Sequence, residues 1–379
     1  MIKTPIQDFV SLFRTKGTSS VYAGGIRRFM DFVYDHRRKC RITSPSEKAE
    51  YEELAARYLA DNQRDHSRDL FLFIRADSEK NAPTTVRSHA LAVRLWLAEN
   101  DIELSGKERM RVRRVTPRGG RLTNIKFVDL NILREILTFA DVRIKAFILV
   151  AACTGMRIGE IRSLTWSCVT FPDRKKFPNK LTELYIPKSK NQSARRVWIT
   201  REAEDALLAW KNNACNIYLA RAGIISKNIG RVVDTSGEKV FPFCVQSVYE
   251  RWNAILKMLG YFTKDPLTRR TQLNFHRLRG FFKMRVLPII GSEMSELALG
   301  HCDAYGHAYD GIPDGEMEKL FQKCEPALTI APAYGALRET AIQSEEMQKL
   351  RAELNSLRSS FAGFTHTGSA VISLPFNEV

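Results

Sequence analysis

The chain has 379 residues, enough for two or three domains that each bury a core of their own. Its formal net charge of +17 at pH 7 suits a polyanionic partner such as nucleic acid. A membrane partner is not expected, because the longest apolar run, Ala146 to Cys153, is too short to span a bilayer and Met1 to Val10 has no signal-peptide layout. The seven cysteines are scattered and odd in number, which indicates neither a disulfide framework nor a zinc site and points to a reducing, cytoplasmic compartment.

Residues 1–112 read as a small helical domain. Tyr22, Ile26, Phe29 and Val33 keep a 3.6-residue period, as do Tyr51, Leu54, Ala55 and Tyr58 behind a Ser44-Pro45 start. A third helix from about Thr84 to Glu99 carries Val86, Ala90, Val93 and Leu97. Arg27 and Arg28, with Arg37, Arg38, Lys39 and Arg41, could follow a phosphate backbone or form an ordinary solvated face. From Ser105 to Leu122 the apolar period fails, and Lys107, Arg109, Arg111, Arg113, Arg114, Arg118 and Arg121 face only Glu108. This stretch reads as a flexible basic linker, assigned to residues 113–125, that can lie along DNA and release counterions.

A second domain, residues 126–335, opens with Leu130, Leu133, Ile136 and Leu137 at helical spacing and continues into the apolar run Phe147 to Cys153. That run stops at Thr154-Gly155-Met156, where glycine lets the chain turn and deliver Arg157 ahead of Glu160. Ile158, Ile161 and Leu164 would bury one face of the next helix and hold Arg157 and Glu160 on a neighbouring one. Leu184 and Ile186, then Val197 and Ile199, alternate with polar residues around a basic segment from Lys188 to Ser193, which is the layout of a β-hairpin. Thr200 starts a helix burying Ala203, Ala206, Leu207 and Trp210.

After a loop-like stretch from Gly223 to Val240, Val245 to Leu259 reads as helix. In Asn274 to Val286, Leu278, Phe281 and Phe282 share one side, with His276 and Arg279 together on the other. Ser292 to Leu299 forms a short helix that Gly300 ends, placing His301 just past the cap and Tyr305, His307 and Tyr309 in the loop beyond. In the tail, residues 336–379, Met347, Leu350, Leu354, Leu357 and Phe361 form a short coiled-coil seam suited to docking on a neighbouring subunit or folding back on its own domain.

Arg157, Lys190, His276, Arg279, His301 and Tyr309 together form a set able to attack a phosphodiester without metal or other cofactor. Two guanidinium forks can neutralise the non-bridging oxygens as charge gathers on them. A phenol that loses its proton to a neighbouring base becomes the attacking oxygen, and a lysine can protonate the departing 5′ oxygen.

The segments TGMRIGE and HRLR, then LGH followed by a tyrosine, resemble the tyrosine recombinase (phage integrase) family in content, order and spacing from Asn124 to Ile330. The segment Ala308-Tyr309-Asp310, an amphipathic helix and Glu325-Pro326-Ala327-Leu328 look like the ending of archaeal-type integrases. The resemblance implies a mainly α fold with a small β-sheet, built from an N-terminal helical core-binding (SAM-like) domain and a recombinase catalytic domain. It implies that Arg157 and Arg279 bind the scissile phosphate, Lys190 is the acid and Tyr309 the nucleophile. His276 and His301 would assist proton transfer and phosphate contact, and Glu160 would support Arg157. Lys188 is the alternative to Lys190, and Tyr305 to Tyr309. The implied activity is site-specific recombination of double-stranded DNA by a homo-tetramer through a 3′-phosphotyrosine. The alternatives are a type IB topoisomerase-like relaxing enzyme and a non-catalytic DNA-binding protein on the same scaffold.

Overall fold

The computed structural model describes residues 5–36, 44–119, 123–187, 194–220, 237–266, 268–300 and 314–334, and residues 347, 350, 351, 353, 354, 356 and 357 of the tail. The fold is mostly helical with one small antiparallel sheet, as the sequence implies. Backbone packing divides the chain into two units, Met1–Asn124 with Asp265–Arg270, and Ile125–Lys264 with Thr271–Val379.

The first unit is built from α1 (Pro5–Ser11), α2 (Lys16–Val33), α3 (Pro45–Ala60), α4 (His66–Lys80), α5 (Pro83–Glu99) and α6 (Gly106–Val115). Ser44 caps α3 by accepting from the Glu47 N–H at 3.2 Å, while the Glu47 carboxylate accepts from Ser44 in return. The expected stripes face inward: Ile26, Phe29, Ala55, Tyr58, Val86, Val93 and Leu97 are buried, and α4 adds Leu70, Phe73 and Ile74. Each fully buried large side chain contributes about 1.5–3 kcal/mol.

The basic stretch departs from its reading as a flexible linker. Ser105 and Glu108 form a capping box, and Val112 is buried in this unit's core, so residues 106–115 are helix, including 113–115 of the assigned linker. A single buried valine among arginines leaves no apolar period to read, yet the cap, that contact and the half-buried Val115 beside it order the segment. Arg109, Arg111, Arg113, Arg114 and Arg118 are exposed and Arg121 lies outside the described residues. Arg28 is exposed, whereas Arg27 is half-buried beside Glu52. Arg37, Arg38, Lys39 and Arg41 lie outside the described residues.

The second unit contains α7 (Leu130–Phe139), α8 (Val142–Thr154), α9 (Ile158–Ser163), β1 (Val169–Thr170), β2 (Thr182–Ile186), β3 (Arg195–Ile199), α10 (Arg201–Ala209), α11 (Val245–Met258), α12 (Arg277–Leu299) and α13 (Asp314–Leu328). Helix α8 is buried from Ala146 to Thr154 and forms the centre, with Phe147 packed against Phe241, Phe243 and Phe275. The hairpin pairs Leu184 with Val197 and Ile186 with Arg195, and β1 adds a third strand beside β2. Its expected tip, Lys188 to Ser193, lies outside the described residues.

Helix α12 is two helical arms joined across Gly291, whose φ of 77° breaks the helix three residues after Pro288. The two helices expected there are thus present. Glu202 at the start of α10 is buried and accepts from the Ile330 N–H at 2.7 Å and the Ala331 N–H at 3.1 Å, which anchors the chain beyond α13. In the tail, Met347, Leu350, Leu354 and Leu357 are helical and exposed, and Phe361 lies outside the described residues. Among the described residues, no helix is long and apolar enough to cross a membrane.

Candidate active site

The site grows from the end of α8. Thr154 donates its hydroxyl to the Val150 carbonyl at 2.6 Å, and Gly155 then adopts φ 62°, ψ 15°, with its N–H bonded to the Ala151 carbonyl at 3.0 Å. This left-handed cap is a conformation that costs residues with a β-carbon energy. Space also requires glycine, since a β-carbon would lie 2.6 Å from Phe282 Cδ1 and 2.7 Å from Leu299 Cδ2.

Two residues later Arg157 stands at the N-cap of α9, just outside the helix on which the spacing places it. Its backbone N–H donates to Glu160 Oε2 at 2.9 Å, and its Nη1 donates to Glu160 Oε1 at 3.2 Å. Glu160 therefore fixes both the main chain and the side chain of Arg157. Ile161 and Leu164 are buried, as the spacing requires, and Ile158 is half-buried.

Arg279, on the first arm of α12, is 7% exposed and so differs from the polar-face residue its spacing suggests. Its Nη1 donates to the Gly155 carbonyl and its Nη2 to the Leu299 carbonyl, both at 2.6 Å. Burial first, and then the charge of Arg157, pull its pKa down to about 10, which leaves it a cation at neutral pH. His276 is exposed at the N-cap of the same helix, and its carbonyl accepts the Arg279 N–H at 3.2 Å. Arg157, Glu160 and Arg279 are thus brought together. Lys188, Lys190, His301, Tyr305 and Tyr309 lie outside the described residues.

One residue of the cluster escapes the sequence reading. Arg195, the first residue of β3, donates from Nη2 to Glu160 Oε2 at 2.8 Å and from Nη1 to Glu160 Oε1 at 3.4 Å. Burial alone would push the Glu160 carboxyl up, but the bonds and charge of Arg195, then the bonds of Arg157, outweigh it and hold the carboxyl below its usual range. The missed signal is local: Arg195 falls on the same strand face as Val197 and Ile199, and a cation there implies a buried partner. Arg195 also lies against Gly300, the αL cap of α12 at φ 74°, where a β-carbon would sit 2.8 Å from its Cζ.

Arg157 and Arg195 are both bonded to the Glu160 carboxylate, and Arg279 lies close enough to feel its charge, so three guanidinium groups held by the fold stand against one carboxylate, an excess of fixed donors of the kind that phosphate recognition calls for. Among the described residues, no three His, Cys, Asp or Glu side chains gather as metal ligands would.

No curated protein matches the sequence. The phage integrase family matches residues 126–287, which hold Arg157, Glu160, Arg195, His276 and Arg279. Among solved structures, XerA recombinase is similar at 17% identity and a TM-score of 0.33, covering 85% of this chain and 98% of its own. A lambda integrase (75-356) dimer bound to a COC' core site is similar at 14% identity and a TM-score of 0.47, covering 76% of this chain and 98% of its own. The Tn1549 transposon integrase (aa 82-397) in complex with circular intermediate DNA is similar at 13% identity and 0.45, covering 77% and 98%. Residues 126–287, within the second unit, are thus identified as a domain of the phage integrase family.

Proposed function

We propose that the chain is a site-specific recombinase that cuts one DNA strand at a time, holds it as a 3′-phosphotyrosine and passes it to the 5′ hydroxyl of a partner strand. Arg157 and Arg279 bind the scissile phosphate, Tyr309 attacks it, Lys190 protonates the departing oxygen, and His276 and His301 assist proton transfer and phosphate contact. The phosphotyrosyl link conserves the energy of the broken bond, so neither ATP nor a metal is needed. Synapsis of two sites requires four protomers on DNA, and the reaction proceeds in a cytoplasmic compartment. The exposed arginines of α6, with Arg28, follow the DNA backbone outside the cut site.

The observation that carries this reading is the bond from Arg279 to the Gly155 carbonyl, which brings the second arginine to the turn that presents the first. The test is a nicked suicide duplex. Wild type gives a denaturant-resistant protein–DNA band, and Tyr309→Phe gives none. A band that survives Tyr309→Phe and disappears in Tyr305→Phe moves the nucleophile to Tyr305, and its absence from wild type overturns the reading.

A further inference from the structure

Glu160 poses an electrostatic difficulty for the chemistry just described. A carboxylate 3.2 Å from Arg157 would neutralise the cation meant for the phosphate. A phosphodiester enters with about one negative charge and carries about two as the phenol oxygen adds, so the site gains rate only from positive charge left over at that moment. With Arg157, Arg279 and Glu160 alone, one positive charge remains, enough for the ground state. Arg195 alters the balance by bonding both Glu160 oxygens, and with three guanidinium groups against one carboxylate two positive charges remain.

We propose that Arg195 is a positioning residue which neutralises Glu160, so that Glu160 orients Arg157 without cancelling its charge on the scissile phosphate. This rests on the recombinase reading above. The two jobs of Glu160 are separated by geometry, since its hold on the Arg157 main chain needs only an acceptor, whereas its negative charge needs a dedicated counter-cation. Arg195 suits that task. Its side chain is 11% exposed, which removes the competing water that weakens surface pairs. It is confined on one side by Glu160 and on the other by the backbone of Gly300, where glycine leaves room for the guanidinium. It projects from β3, so the strand and the Arg157 turn are tied through one carboxylate.

The test measures the rate of covalent adduct formation on the suicide duplex at saturating DNA, together with DNA affinity and the thermal melt. Arg195→Gln is expected to slow adduct formation by roughly 30- to 100-fold while affinity changes by less than about threefold. Arg195→Lys, which keeps the charge and loses the fork, is expected to stay within about tenfold of wild type. The decisive variant is E160Q combined with R195Q, because glutamine still accepts the Arg157 N–H but carries no charge to cancel. It is expected to react at least about tenfold faster than R195Q alone. The proposal is overturned if R195Q reacts within about threefold of wild type, if its affinity falls in parallel with its rate, or if the double variant is as slow as the single one. If R195Q loses its cooperative melt, a folded R195K reads the same question, a rate within about tenfold supporting the proposal and a lower one overturning it. Failure of wild type to form any adduct sinks the recombinase reading instead, so the two failures are distinct.

Discussion

Arg279 reaches the Gly155 carbonyl at 2.6 Å across 124 residues of chain, and with its other terminal nitrogen it reaches the Leu299 carbonyl at the same distance. A buried guanidinium thereby joins the end of α8 to the end of α12, the two points from which Arg157 and the segment beyond Gly300 depart. A lysine ammonium is a point charge on a flexible stem and would not hold both carbonyls in one plane. Arg279→Lys should lower unfolding free energy by about 1–3 kcal/mol through the carbonyl left unpaired. It should also slow adduct formation by at least about a hundredfold. Urea denaturation and the suicide-duplex assay separate the two effects, and a variant with wild-type adduct yield would remove Arg279 from the phosphate site.

Gly155 and Phe282 meet too closely for any β-carbon between them. Gly155→Ala adds both this clash and the strain of a left-handed backbone, so a loss of about 2–4 kcal/mol is expected by urea denaturation. Shrinking the ring in Phe282→Leu relieves the clash and leaves the strain. The double variant should therefore lose less than the sum of the single ones; strict additivity would show that the ring does not set the limit.

The folded-state pKa of Glu160 lies below its unfolded value of 4.5. A carboxyl depressed by folding adds stability that is present above the unfolded pKa and is lost as pH falls through the folded one. At neutral pH Glu160→Gln should cost about 2–4 kcal/mol, because Arg195 is left buried without its counter-charge. That gap should narrow as the pH falls below 4.5. Parallel melts of wild type and E160Q from about pH 7 down to about pH 3.5 provide the measurement, and a gap that stays constant would contradict the assigned shift.

The arginines of α6 are exposed, whereas Val112, with the half-buried Val115, packs the helix on the core, so charge can be removed from it without loss of fold. Replacing Arg111 and Arg114 by glutamine should leave the melting temperature unchanged and weaken DNA binding. Each arginine–phosphate pair removed should flatten the dependence of log affinity on log salt by about one, so the double variant should differ from wild type by about two. An unchanged slope would place these side chains away from DNA.

Much of the local structure was legible in the residues because its causes are local. The stripes of α2, α3 and α5, the Ser44 cap, the alternation of the two hairpin strands and the Gly155 and Gly300 caps each depend on neighbours within a few positions. Helix α6 was not legible, since one buried valine carries no period and its order depends on the core it meets. The family segments named Arg157, Glu160 and Arg279 through their content and order.

What the sequence by itself determined, then, was where most of the long amphipathic helices and the hairpin strands lie and which residue types stand ready for phosphate chemistry. Against which partner each buried charge is set was decided only by tertiary structure. Arg195 stands 35 residues from Glu160 and Arg279 stands 124 from Gly155, so no local spacing records either pairing. A cation's surroundings are set by the chain segments that close over it, and desolvation turns those distant partners into the determinants of its charge, its orientation and the anion it can hold.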